Sequence, residues 1–381
     1  MSPRIVFEDE EIRVVHRPGA TAFSLLTFAA LAHRPKDTWI WAGPPVEKLD
    51  IEAVGVIAKR ENWYPAASMQ VAAPAIRALL RPRAIGYGYS MGGYAVLKYG
   101  RLLGLTHGLA VSPQVTIDPA EVPQDRRFHR YFNPLLNADM AVRHGDSPPL
   151  VFVAGDSGWE PDAQHLRDAM AQAGASLIAL PYMRHAAVDR FTSTRVLDQV
   201  LTLVLAGDAA GLRAFLRRGR AASPEWHLWV GRAAEARGHR FAPALWQRAA
   251  ELGAPAARIG AVRGLAARER LIVLFMQGRR AEARRIAPAV IAAQDGQPFG
   301  LLRVGELLLR RRMPDLAEAC FREALETKPG LPAAAAGLSS AIAAGAAAPP
   351  GRSAGGRIPH RLATDGAPES SLLRLDARKP A

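Results

Sequence analysis

The chain has 381 residues, enough for two domains with a core each. With 49% hydrophobic and 22% charged residues it falls among ordinary globular proteins, which excludes the fibrous and wholly disordered classes. The formal net charge is +14, carried almost entirely by arginine. These arginines are scattered in pairs along predicted helices (Arg217-Arg218, Arg284-Arg285), apart from the triplet Arg310–Arg312. No basic strip interleaved with aromatic residues occurs, so solvated helix faces are expected and a nucleic-acid role is not.

One cysteine, Cys320, excludes an intrachain disulfide framework and fits a reducing compartment. The start, MSPRIVFEDEEIRVV, lacks the apolar core of a secretory signal. The longest apolar run, Ala22–Ala32, is too short to span a membrane. A cytoplasmic protein without a transmembrane segment is therefore expected.

In chain order, residues 4–15 read as a hairpin turning at Glu8–Glu11, and Thr21–Ala30 as a buried strand. Asp37–Trp41 begins another apolar segment that ends at Gly43-Pro44-Pro45, and Val46–Lys59 shows helical spacing. Glu61–Pro65 is a loop containing Asn62-Trp63-Tyr64-Pro65, which either borders a site or is anchored by its two aromatics. A helix follows over Met69–Leu80. Then comes RAIGYGYSMGGYAVLKY, Arg83–Tyr99: an apolar strand, Ala84–Tyr89, a hard turn, and an apolar helix. Further strands are expected at Thr106–Ser112, Leu150–Ala154 and Ser176–Pro181, with helices at Pro161–Ala173 and Thr192–Leu205. Strands alternating with helices predict an α/β domain with a mostly parallel sheet, whose ligands sit beyond the carboxyl ends of the strands. Between Pro113 and Asp146 the chain is irregular. Its aromatic-basic stretch Arg126–Phe132 is either a cover for the site or a surface excursion.

The turn in the middle of this domain carries the chemistry. Gly88-Tyr89-Ser90-Met91-Gly92 is a G-x-S-x-G pentapeptide between a strand and a helix. A nucleophile on such a turn is forced out of the sheet, and residues two before and two after it must be tiny. The helix N-terminus then faces the reacting centre, where the Met91 N–H can stabilise an oxyanion. A dinucleotide loop, for which Gly86-x-Gly88 could serve, would need a small residue at position 91, where Met91 stands. A third reading is a glycine-rich turn with a capping serine.

GYSMGGYAVLKYG resembles the nucleophile elbow of the α/β-hydrolase superfamily, and the resemblance extends over about the first 205 residues. It implies helices on both faces of the sheet and the chain order Ser, acid, His. His185, just after the last predicted strand in LPYMRHAAVDR, stands where the histidine loop belongs. His144 and His165 compete less well, His165 because it lies inside a helix, and His107 precedes the wrong strand. For the acid, superfamily members carry a carboxylate about three residues after the glycine that ends the preceding strand; here that position is Gly158. Asp162 is preferred, although helix capping would also account for it; Asp156 is close behind and Glu160 third. The resemblance places a second oxyanion donor after an earlier strand, here at the backbone of Phe28 or Ala29. The HGGG sequence of lipases is absent.

No paired-cysteine, HExxH, Walker A or EF-hand motif is present, and Asp162 with His165 three residues on is a common surface-helix spacing. Neither a metal nor a cofactor is expected.

After residue 206 the chain becomes helix after helix. Counted from Leu301, the residues Gly305, Ala317, Phe321, Ala324 and Pro329 resemble the packing positions of a tetratricopeptide helix pair. Phe241–Ala249 and Ala281–Val290 are blurred versions of it. The expected division is thus a catalytic domain over 1–206, a tetratricopeptide-like array over 207–345 (or a plain helical bundle), and a disordered Pro/Gly/Ala/Arg-rich tail over 346–381. Three functions are compatible with this sequence. One is a serine hydrolase acting on an ester, thioester or amide, with the helical array binding a protein partner. Another is an acyltransferase using the same covalent intermediate on a sugar or lipid-linked hydroxyl. The third is a degenerate hydrolase domain that only binds.

Overall fold

The computed structural model describes residues 2–346, except positions 32, 35 and 295. The expected tail, beyond Ala346, lies outside the described residues. The chain divides into two compact units, one ending at Arg220 and one beginning at Ala221.

The first unit is built on an eight-stranded sheet. Its strands are β1 (Arg4–Glu8), β2 (Ile12–Arg17), β3 (Ser24–Phe28), β4 (Glu52–Ala58), β5 (Ala84–Tyr89), β6 (His107–Val111), β7 (Leu150–Gly155) and β8 (Ser176–Ala179). They lie in the order β1-β2-β4-β3-β5-β6-β7-β8. The pairs β1–β2 and β2–β4 are antiparallel, and every pairing from β4 to β8 is parallel. The helices are α1 (Gly43–Lys48), α2 (Ala66–Arg77), α3 (Met91–Tyr99), α4 (Glu160–Ala173), α5 (Thr194–Leu205) and α6 (Ala209–Arg218). The chain leaves β3 toward β4 on one side, then returns past β3 to lay down β5 and continue the other way. The crevice beyond the carboxyl ends of β3 and β5 is therefore the switch point of the sheet, where ligands of such folds collect.

The mostly parallel α/β sheet is as the sequence suggests, with one substantial correction. Of Val46–Lys59, expected to be helical, only the first residues belong to α1; the rest is β4, a central strand buried at all its positions. The reason is physical. In EAVGVIA nearly every position is apolar, so a helical spacing and a strand buried on both faces fit the same letters. The apolar segment beginning at Asp37–Trp41 forms turns, and its Ile40 fills the space that the absent side chain of Gly55 leaves. The unit boundary after Arg220 also differs from the expected 206. Helix α6 belongs with the sheet: Arg190 donates to the Leu216 carbonyl at 3.1 Å, and Arg213 to that of Leu177 at 3.4 Å.

The second unit consists of α7 (Pro224–Ala236), α8 (Ala242–Glu251), α9 (Ala256–Met276), α10 (Arg280–Ala292), α11 (Pro298–Arg310), α12 (Pro314–Thr327) and α13 (Pro332–Ala346). The Phe321 ring of α12 is held between two glycines. A Cβ on Gly305 would lie 2.7 Å from it, and one on Gly337 2.6 Å. Trp246 of α8 packs on Gly231 of α7 in the same manner, with a would-be Cβ at 3.2 Å. Among the described residues no helix is long and apolar enough to cross a membrane.

The pinched ring makes a prediction. Gly305→Val should destabilise the helical unit by about 2 kcal/mol, because Phe321 has no free side to move toward. Gly260→Ala, where a Cβ meets nothing within 4 Å, should stabilise it by about 0.5–1 kcal/mol through helix propensity alone. Chemical denaturation followed by circular dichroism separates the two; equal effects would show that the Gly305–Phe321 contact is not tight.

Candidate active site

Ser90 terminates β5 with φ 54° and ψ −118°, a conformation that side chains rarely adopt and that costs about 1–3 kcal/mol. The surroundings hold it there. Its N–H donates to the Val111 carbonyl of β6 at 2.9 Å, and its own carbonyl accepts from Tyr94 N–H at 3.0 Å as α3 begins. The flanking glycines are required by contact. A Cβ on Gly88 would come within 2.2 Å of the Gly92 carbonyl oxygen, and one on Gly92 within 2.3 Å of that of Phe28. The capping-serine reading does not apply, since the Ser90 side chain makes no cap to α3.

The Ser90 hydroxyl instead lies 2.9 Å from Nε2 of His185, the second residue of the 3-10 segment Arg184–Phe191. Nδ1 of the same ring lies 2.9 Å from both carboxylate oxygens of Asp162. Asp162 sits fully buried in the first turn of α4, where the positive helix end favours an anion. Burial works to raise its carboxyl pKa, but the adjacent His185 and Arg127 more than offset this and hold it below the ordinary value. An ionised Asp162 can only accept, so Nδ1 carries the proton and the Nε2 lone pair faces the serine hydroxyl. The Tyr89, Phe128 and Trp159 rings surround the imidazole at centroid distances of 5.3, 5.9 and 6.4 Å. The Tyr89 hydroxyl donates to the His185 carbonyl at 2.6 Å, fixing the loop from below.

Asp156, the alternative acid, does not reach the histidine. Its Oδ1 accepts from Gly158 N–H at 3.0 Å and its Oδ2 from Arg184 N–H at 2.8 Å, so it ties the two loops together one residue away from His185. Glu160 points outward and pairs with Arg167 at 2.5 Å. His165 is buried elsewhere. Its Nδ1 accepts from Val115 N–H at 3.3 Å and its Nε2 donates to Asp125 at 3.1 Å, so it shares no site with Asp162. The Ala29 expectation needs correction. Its N–H already donates to the Val56 carbonyl at 3.1 Å, so β3 keeps its pairing with β4 one residue beyond Phe28. The turn begins only at Ala30. Met91 heads α3, where N–H groups have no partner within the helix. The Asn62–Pro65 loop is anchored by its aromatics: Trp63 and Tyr64 are fully buried, and the Tyr64 hydroxyl donates to the Ala29 carbonyl at 2.6 Å.

Three contributors are not foreseeable as site residues from the sequence. Gln114, fully buried beyond β6, donates from Nε2 to the Ser90 hydroxyl oxygen at 3.4 Å. Arg127 donates to Asp162 Oδ1 at 2.9 Å. Asp125 receives Arg127 through both oxygens, at 2.7 and 2.6 Å. All lie in the irregular 113–146 stretch, where no periodicity signals which side chains turn inward. The aromatic-basic part of that stretch forms a packed wall beside the imidazole: Phe128 is buried against Trp63 and His185.

No protein-family model matches the chain, and no curated protein matches it. Among solved structures it is similar to the capsule O-acetyltransferase of Neisseria meningitidis serogroup A, at 11% identity over 52% of this chain and 92% of that one, with a TM-score of 0.40. It is also similar to the proline iminopeptidase-related protein of Thermus thermophilus (11% identity, 54% and 98% coverage, TM-score 0.36). A third is the S-formylglutathione hydrolase of Staphylococcus aureus (12% identity, 54% and 95% coverage, TM-score 0.30). At these identities and TM-scores the likeness carries no weight for activity; the geometry around Ser90 does.

The buried Asp125 yields a pH prediction. Burial raises its carboxyl pKa, and Arg127 and His165 outweigh that and set it well below the ordinary value. A carboxyl lowered in this way contributes stability that is complete above the unfolded value and is lost as the pH falls toward the folded one. Asp125→Asn should therefore cost about 3 kcal/mol at pH 7 by leaving Arg127 short of a partner. The gap to the wild type should close progressively below about pH 4. Urea midpoints across that range test this, and a gap independent of pH would refute it.

Proposed function

We propose that this protein is a serine hydrolase that cleaves an ester, thioester or amide through an acyl-enzyme intermediate. The reading is carried by one observation: a serine held at positive φ at a strand end, within hydrogen-bond distance of an imidazole whose other nitrogen meets a buried carboxylate. The Ser90 hydroxyl attacks the carbonyl carbon while His185 Nε2 takes its proton, and the same proton goes to the leaving group as the tetrahedral intermediate collapses. Asp162 keeps the imidazole in the tautomer this needs and stabilises the imidazolium. The oxyanion is met by the Met91 N–H at the start of α3 and by a second donor in the turn beginning at Ala30. The end of β3 that leads into this turn lies against the helix start, since the Phe28 carbonyl fills the space a Gly92 side chain would take. Water then attacks the acyl group with His185 as base. A hydroxyl acceptor in place of water would make the protein an acyltransferase with the same residues in the same roles.

The helical unit is read as a tetratricopeptide-like array that docks a protein partner. Support for it is the repeated device of an aromatic on one helix seated on a glycine of the helix before it, Phe321 on Gly305 and Trp246 on Gly231.

A fluorophosphonate probe tests the chemistry, because it reacts only with a serine activated in this way. The wild type should label and Ser90→Ala should not. Asp162→Asn should slow labelling by about a thousandfold or more, since the amide favours the wrong imidazole tautomer. Asp156→Asn, which only loosens the loop carrying Arg184, should slow it by about tenfold. Absence of labelling in folded wild type would sink the hydrolase reading and favour a domain that only binds. Release of acyl groups to water or to added hydroxyl acceptors then distinguishes hydrolase from transferase.

A further inference from the structure

Arg127 is an unusual neighbour for a carboxylate that has to support an imidazolium. Its guanidinium lies between two acids. Nε and one terminal nitrogen bind Asp125 at 2.7 and 2.6 Å, and the other terminal nitrogen reaches Asp162 Oδ1 at 2.9 Å. It also donates to the Pro161 carbonyl at 2.9 Å, and its plane packs on Phe128 and Trp159, each ring centroid 5.0 Å away. Held on its edges and on its faces, the group has little freedom. Asp125, in turn, is held by the buried His165. The result is a continuous polar chain, His165–Asp125–Arg127–Asp162–His185, crossing from the 113–146 wall to the serine.

We propose that Arg127 is a positioning residue for Asp162: it holds the buried carboxylate ionised and oriented toward His185, from a segment outside the sheet. This rests on the reading of Ser90, His185 and Asp162 as an acyl-transfer triad. The physical need is clear. A fully buried carboxylate beside one imidazole is expensive to keep charged while that imidazole is neutral, which is its state before each turnover. A permanent cation removes that penalty throughout the cycle, and arginine cannot lose its proton. The groups that face Asp162 are His185 from the segment after β8 and Arg127 from the wall, with Asp125 behind Arg127 and His165 behind Asp125. Tyr89 of β5 lies within electrostatic reach, with Asp189 beyond it acting on the same phenol, and Asp156 is engaged by the Gly158 and Arg184 N–H groups.

A merely structural Arg127 would lower stability without altering the pH response of the site. The test measures the rate of fluorophosphonate labelling at Ser90 from pH 3 to pH 9, together with the carboxyl carbon-13 titration of Asp162 over the same range, assigned by its loss in Asp162→Asn. Arg127→Met should slow labelling by about tenfold or more. It should also move both the acid limb of the profile and the Asp162 titration up by about one pH unit, the size expected on losing an adjacent cation. Arg127→Lys should restore the positions on the pH axis while leaving part of the rate deficit, since an ammonium supplies the charge without the fork. Should Arg127→Met fail to fold because Asp125 is stranded, Arg127→Met with Asp125→Asn removes both charges and carries the same expectations. Unmoved acid limb and unmoved titration in a folded variant overturn the proposal while wild-type labelling leaves the triad reading standing. A shifted Asp162 titration in a protein whose Ser90 never labels supports the role of Arg127 in setting that charge and overturns the triad reading instead.

Discussion

The contact between β5 and α3 is the constraint on which the site depends. Gly88 and Gly92 bring strand and helix so close that neither can carry a side chain, and the residue between them must take positive φ. This strain is local, but its support is not. The Ser90 N–H is held by β6, and the Phe28 carbonyl of β3 abuts Gly92. Ser90 is thus set by three adjacent parallel strands at the point where the strand order reverses. A turn of this kind in an isolated hairpin would relax, since nothing would keep the backbone from leaving its unfavourable region.

How much of this is legible in the sequence follows from what each feature depends on. The strand–turn–helix around Ser90 is encoded locally, by small residues at fixed offsets, and its strand is found where the letters place it. That a histidine and a carboxylate come beside Ser90 follows from chain order and from the loops that carry them. The choice between Asp156 and Asp162 does not, because both end up buried at the same edge and only the direction of the side chain separates them. Strand β4 reads as a helix because a strand buried on both faces has no polar face to mark its period. Ala29 is misplaced by one register step, since a strand's last ladder bond is invisible in composition. Arg127, Asp125 and Gln114 are illegible for a further reason: in irregular chain no repeat tells an inward residue from an outward one.

Electrostatics explains why the irregular wall is needed. Ser90 and Asp162 are buried and His185 between them is half-buried, with three aromatic rings beside the imidazole. Exclusion of water strengthens the hydrogen bonds that orient the ring, and it also penalises an isolated charge. A site of this kind has two ways to keep its acid ionised: admit water, or supply a counter-charge. Here a counter-charge is supplied, and it is balanced by a second acid, so that the arginine is not itself stranded.

That arrangement also gives the wall a second role beyond shape. Its backbone is pinned to the sheet unit at several points: the Asn137 side chain donates to the Asn62 carbonyl at 2.9 Å, the Tyr94 hydroxyl to that of Met140 at 2.8 Å, and Lys98 to that of Ala141 at 2.8 Å. A segment with no regular structure of its own can therefore deliver Arg127 to Asp162 with the accuracy of a secondary-structure element. The order of its side chains comes from the partners it meets on α3 and on the Asn62 loop. Loops that carry functional groups need a rigid scaffold beneath them, and in this protein the same aromatic and amide anchors that fix the wall also fix the charge that the site requires.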